Sequence, residues 1–190
     1  MTGSLAERLA PGFLLAPPPL TDPNFDRTLV LLAVHETEGS MGFVVNRPSE
    51  LRLHQLLGEL EMDKTVDDKQ VLIGGPVSGY SGFVLYEHDA GRPLGPGIEV
   101  SSSVSISPSR EILQTAARGA LPGRFDLLLG YAGWGHQQLE AELQQGAWLH
   151  APFDPELLFD VPMAERWDET YKRLGLSPYT FMNVPGGAQA

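Results

Sequence analysis

A chain of 190 residues, 42% hydrophobic and 19% charged, is long enough for one domain with a sizeable core and too apolar for wholesale disorder. Its net charge of -11, from 13 basic and 24 acidic residues, opposes a sequence-independent grip on nucleic acid, whose phosphates such a surface repels. Cysteine is absent, which excludes disulfides, thiolate catalysis, zinc fingers and iron–sulfur sites, and no apolar run approaches the ~20 residues a membrane-spanning helix needs.

Residues 1–10 read as a flexible leader, 11–183 as a single domain and 184–190 as a flexible tail. Glu7 and Arg8 interrupt the leader, so a signal peptide is not expected and the cytoplasm is the expected compartment. Pro17-Pro18-Pro19 favours an extended bend, and Thr21-Asp22-Pro23-Asn24-Phe25-Asp26-Arg27 is a turn cluster. The near-continuous apolar run 28–35 predicts a strand buried on both faces. A turn over 36–39 and a return strand over 41–46 make a hairpin, which Arg47-Pro48 stops.

Leu53, Leu56, Leu57 and Leu60 fall at helical spacing, and 63–70 is a charged loop. A short strand, 71–73, leads into Gly74-Gly75-Pro76, and 82–87 is another strand. After an exposed loop over 90–97, two short strands at 98–100 and 104–106 are joined by serines. Ser107-Pro108 supplies an N-cap and first helical residue for a helix that buries Ile112, Leu113, Ala116 and Ala117. The central strand is 125–132, followed by a helix over 137–145. Asp154-Pro155 caps a short turn, and a last helix over 164–174 stacks Trp167, Tyr171 and Leu174 on one face. Tight turns between consecutive strands imply antiparallel pairing. The expected class is α+β: one domain, with a strongly curved, partly barrel-like, mostly antiparallel mixed sheet and helices packed on it.

Gly130-Tyr131-Ala132-Gly133-Trp134-Gly135 concentrates three glycines and two large rings. It reads either as a strand-to-helix corner with rings in the core or as a ligand cleft floored by backbone amides. Gly74-Gly75-Pro76-Val77-Ser78-Gly79 lacks the Lys-Ser/Thr of a phosphate loop and reads as a tight turn or an anion nest. None of the five histidines pairs at i, i+4, so no metal or cofactor is expected, and only His136 adjoins the aromatic cluster. Ser78 and Ser81 lie outside any Gly-x-Ser-x-Gly elbow. Arg27 and Arg47 flank the first two strands, where they either bind an anion bidentately or pair with Asp22, Asp26 or Glu36. No helix carries a basic face suited to a DNA groove.

These motifs occur in one order. Phe13-Leu14-Leu15-Ala16 and Asp22-Pro23-Asn24-Phe25-Asp26-Arg27-Thr28 precede Gly42-Phe43-Val44-Val45-Asn46-Arg47-Pro48. Gly74-Gly75-Pro76-Val77, Gly82-Phe83-Val84-Leu85, Ser109-Arg110-Glu111-Ile112-Leu113 and the Gly130 to Gly135 corner follow. Gln138-Leu139-Glu140, Ala147-Trp148, Phe159-Asp160 and Glu165-Arg166-Trp167 complete the set. Over residues 11–176 the chain resembles the YqgE/AlgH family, with Val161 standing where a threonine is more usual and no glycine in the Ser102-Ser103 turn. The resemblance implies a single curved α+β domain, a bacterial cytosolic protein and a regulator label taken from alginate control in one member. It carries over no catalytic residue.

The expected function is a non-enzymatic binding or regulatory protein that acts through a protein partner or a small anionic ligand, without direct contact to nucleic acid or membrane. The expected binding residues are Arg27, Asn46, Arg47, Gly75, Tyr131, Trp134, His136 and Trp148. The alternative is a hydrolase for an anionic metabolite that uses His136 with Ser78 or Asp22, which requires those side chains to converge.

Overall fold

Two apolar segments near the start of the chain set the architecture, seen here in a computed structural model that describes residues 9–18 and 26–178. The leader through residue 8, Pro19, the 21–25 part of the turn cluster with Asp22, and the tail 184–190 lie outside the described residues. Strands β1 (Gly12–Leu15) and β2 (Leu29–Glu36) pair antiparallel, Phe13 opposite Leu31 and Leu14 opposite Val30. Alternate residues serve different cores. Phe13, Leu15, Leu29 and Leu31 point into the largest cluster, while Leu14, Ala16, Val30 and Leu32 point into another on the opposite face. A strand with both faces covered needs apolar residues at every position, which is why the run is unbroken.

β2 turns into β3 (Gly39–Val44) at the expected hairpin. β3 ends ahead of Arg47-Pro48, as expected, but Pro48 also opens a further strand, β4 (Pro48–Arg52), which is exposed; proline is tolerated at a strand's first residue. Helix α1 (Leu53–Glu59) follows and buries Leu53 and Leu57. β5 (Gln70–Ile73) pairs with β4, and β6 (Val77–Glu87) begins five residues earlier than its alternation suggested, because Val77 pairs with Tyr131 before a wide bulge ends at Gly82. β7 (Ile98–Ser101) and β8 (Val104–Ser107) form the serine-linked hairpin. Ser107 is not the cap of the next helix. Its Oγ donates to the Pro96 carbonyl at 2.5 Å, and α2 (Arg110–Ala117) starts after Ser109.

The long strand β9 (Phe125–Trp134) is central. Its first half pairs antiparallel with β6 and parallel with β5, and its second half pairs with β3. Gly130, at φ 75°, is the crook between the halves; a Cβ there would stand 2.5 Å from the Gly75 carbonyl oxygen. Helix α3 (Gln138–Gln144), strand β10 (Leu149–Pro152) against β1, and α4 (Glu156–Phe159) follow. The expected last helix divides into a 3-10 turn, Met163–Glu165, and α5 (Arg166–Arg173). Among the described residues the sheet has ten strands in the order β10-β1-β2-β3-β9-β6-β8-β7, with β5 attached to β9 and β4 to β5. It is a single domain with a curled half-barrel sheet, α4 and α5 on one face, α3 on the other, and α1 with α2 over the β6–β9 end.

Candidate functional site

Charged residues inside an apolar strand must be paired, and Asp126 is such a residue. It is the lone carboxylate in the Phe125-Asp126-Leu127-Leu128-Leu129 run of β9. The parallel register of β5 with β9, Leu72 opposite Leu128, brings Lys69 at the foot of β5 alongside it. Lys69 Nζ lies 3.4 Å from Asp126 Oδ1 and 3.9 Å from the centroid of the Phe125 ring, and it also donates to the Phe125 carbonyl. From the start of α5, Arg166 brings Nη2 to 3.6 Å from Asp126 Oδ2. Arg166 is 6% exposed, and its other nitrogens donate to the carbonyls of Val161 (3.1 Å) and Val45 (2.6 Å).

These groups line a pocket of about 350 Å³ with Arg52, Asp68 and Met163. Asp68 accepts from the His54 amide at 2.9 Å and from Arg52 Nε at 3.1 Å, and those two bonds hold its carboxyl below the ordinary range. Burial pushes Lys69 below the usual lysine range, with Asp126 opposing the shift and Arg166 adding to it. Arg166 is likewise lowered, by burial first. Three cations thus face two carboxylates, on a chain whose overall charge is strongly negative. An ammonium has three N–H donors, and Lys69 uses two on protein acceptors. The pocket is suited to an anion.

The residues expected from sequence fall into three groups. Arg27, Asn46 and Arg47 come together: Asn46 accepts from the Leu29 amide and donates to the Arg27 carbonyl, both at 2.9 Å, and Arg47 donates to the Asp26 carbonyl at 3.5 Å. The exposed Arg27 guanidinium sits 5.6 Å from the Trp167 ring. Gly75 and Tyr131 also meet, backbone against backbone; a Cβ on Gly75 would stand 2.2 Å from the Tyr131 carbonyl carbon. Trp134 and Trp148 are 6% and 5% exposed, stack edge to face at 6.1 Å, and both donate to Glu142 Oε2, at 2.8 and 2.9 Å. That is the core-corner arrangement of the two read from the Gly130 to Gly135 segment. His136 is exposed and bonds the Thr37 carbonyl at 2.6 Å. Ser78 is exposed in the bulge of β6 at φ 50°. Asp22 lies outside the described residues. His35, in β2, meets Ser40 Oγ at 2.5 Å and Glu140 at 3.3 Å. Among the described residues no three His, Asp or Glu side chains gather as metal ligands, and no helix is long and apolar enough to cross a membrane.

Sequence reasoning missed Arg52, Lys69, Asp126 and Arg166. The one available signal was the carboxylate in the middle of an otherwise apolar strand, which demands partners without naming them. The pocket and the Arg27–Asn46–Arg47 corner are neighbours, since Arg166 holds the carbonyl of Val45, the residue before Asn46.

A family model described as AlgH-like matches residues 13–179. A UPF0301 protein of Anaeromyxobacter dehalogenans is 42% identical over 189 residues, covering 96% of each chain, and one of Methylococcus capsulatus is 40% identical over 176 residues, covering 91% of this chain and 93% of that one. The solution structure of the AlgH protein from Pseudomonas aeruginosa superposes with a TM-score of 0.77 at 38% identity, over 99% of this chain and 100% of that one. A crystal structure from Corynebacterium diphtheriae, at 20% identity and a TM-score of 0.71 over 87% and 86% of the chains, shares the fold.

Proposed function

The chain belongs to the AlgH-like family, and from that premise we propose that it is a non-enzymatic binding protein whose ligand is a small anion taken into the Arg52–Lys69–Arg166 pocket. The observation that supports this reading is the surplus cation. Two cations approach Asp126 from different elements, the buried Arg166 and the partly exposed Lys69, and a third, Arg52, is paired with Asp68 on the pocket wall. A structural ion pair needs one partner per charge, and an unbalanced buried cation is costly until an anion arrives. The neighbouring Arg27–Asn46–Arg47 corner adds two further cations. A regulatory output would run through the ligand-loaded protein and not through direct contact with DNA, in keeping with the net charge of -11.

Thermal unfolding with phosphate, sulfate or glycolate, each against chloride at matched ionic strength, tests the reading. Binding to the folded state alone stabilises by about 2.7 kcal/mol at a hundredfold excess over Kd. The shift should disappear in Lys69→Met and Arg166→Met. If no anion raises Tm above the chloride control, the pocket is a structural ion cluster and the reading is wrong.

A further inference from the structure

We propose that Lys69 is a reactive amine and that the pocket's ligand is a small oxo acid, a carboxylate carrying an aldehyde or ketone, captured reversibly as an imine. This rests on the anion-binding reading and adds the carbonyl to it. Three features of the site converge on that chemistry.

The first is the amine itself. A lysine forms an imine only through its neutral form, and a site makes that form accessible by excluding water and placing another cation nearby. Lys69 Nζ shares the Asp126 carboxylate with the buried Arg166, a second cation that works against its charge, although the Phe125 ring face at 3.9 Å favours the ammonium. Its ammonium is disfavoured by burial and by Arg166, while Asp126 opposes them. The charged groups facing it are Asp126 from β9, Arg166 from α5, and Arg52 and Asp68 from the pocket wall.

The second is a proton carrier. Asp126 Oδ1, 3.4 Å from Nζ, can take the proton the attacking nitrogen sheds and return it to the departing hydroxyl. The third is a handle for the ligand's carboxylate, which Arg52 and Arg166, both lining the pocket, supply. The step balances without an oxidant or reductant. The nitrogen lone pair forms the C–N bond as the carbonyl π electrons move to oxygen; that oxygen is protonated and leaves as water, and the C=N bond forms. Hydrolysis reverses it. A lysine kept only to balance Asp126 would stay charged and offer no such reactivity.

The composition makes the test clean, because the chain has three lysines, Lys64, Lys69 and Lys172, and the other two are exposed. The full-length protein is incubated with glyoxylate and cyanoborohydride, which reduces any imine to a stable secondary amine, and the modified residue is located by peptide mass spectrometry. Lys69 should be marked at least ~10-fold faster than Lys64 or Lys172 near neutral pH. Glycolate, the same acid without the carbonyl, should slow the marking by competition. The advantage should shrink as pH approaches 10 and the exposed lysines lose their protons. Lys69→Arg should abolish the mark while keeping the stabilisation by glycolate. If glycolate stabilises the protein but Lys69 is marked no faster than the other two lysines, the imine proposal falls and the anion reading stands. If glycolate, phosphate and sulfate all fail to stabilise, the anion reading falls, and with it the proposal.

Discussion

Asp126→Asn removes one negative charge from between two cations and changes little in shape. At separations of 3.4 and 3.6 Å, and with an effective dielectric of about 20, the attractions to Lys69 and Arg166 are each roughly 5 kcal/mol gross. The desolvation penalty of the carboxylate disappears with its charge and offsets several kcal/mol of that loss. Lys69, with a third of its side chain exposed, recovers more through solvent. The expected net destabilisation is about 3 kcal/mol, at the lower end of what breaking a buried pair costs. In a domain of this size that lowers Tm by about 6–12 °C. Two further signatures separate this cause from a generic packing defect. The deficit should narrow toward pH 9, because Lys69 without its counter-charge sheds its proton more easily and relieves the repulsion with Arg166. Added phosphate should also stabilise the variant more than the parent, by supplying the missing negative charge. Urea unfolding at pH 7 and pH 9, with and without phosphate at constant ionic strength, reads all three effects. A variant as stable as the parent, with no differential response to phosphate, would refute the electrostatic account of the pocket.

Two other outcomes follow from the geometry. Glu142→Ala takes the shared acceptor from both indole N–H groups, at a cost of about 2–5 kcal/mol by urea denaturation, while Glu142→Gln keeps an acceptor oxygen and should lose less; equal stability of parent and Ala variant would show that the Trp134–Trp148 corner is held by packing alone. Burial pushes the Tyr171 phenol up to about 12 from an ordinary 10, so its contribution is complete below pH 10 and is lost as pH rises toward 12. Stability measured from pH 8 to 12 should therefore fall by up to about 3 kcal/mol more in the parent than in Tyr171→Phe, and parallel curves would contradict the assignment.

Much of the fold was legible because hydrophobic periodicity is a local property. The unbroken run of β2 announced a strand covered on both faces, and the i, i+4 spacing of Trp167 and Tyr171 marked the buried side of α5, where both rings donate to the Ala16 carbonyl at the end of β1. The aromatic corner was legible as two alternatives, and the twin bonds to Glu142 fit the interior one. Local signals misled where the deciding partner was distant. Pro48 follows the end of β3, as its stop signal implied, yet it also opens β4, for which β5, 22 residues on, supplies the partner. Ser107 looked like a cap, yet its Oγ bridges the Pro96 carbonyl and the Ser109 amide, and the helix starts only at Arg110.

By itself the sequence determined the α+β class, most strand and helix positions and the family resemblance, and it put Arg27 and Arg47 beside the first two strands. Only the tertiary structure decided where charge would be concentrated. Lys69, Asp126 and Arg166 lie far apart in the chain, and none of them sits in a recognisable spacing. The parallel register of β5 on β9 and the docking of α5 bring them together. Coulomb energy depends on distance through space and on the burial of the charges, neither of which is written in residue order.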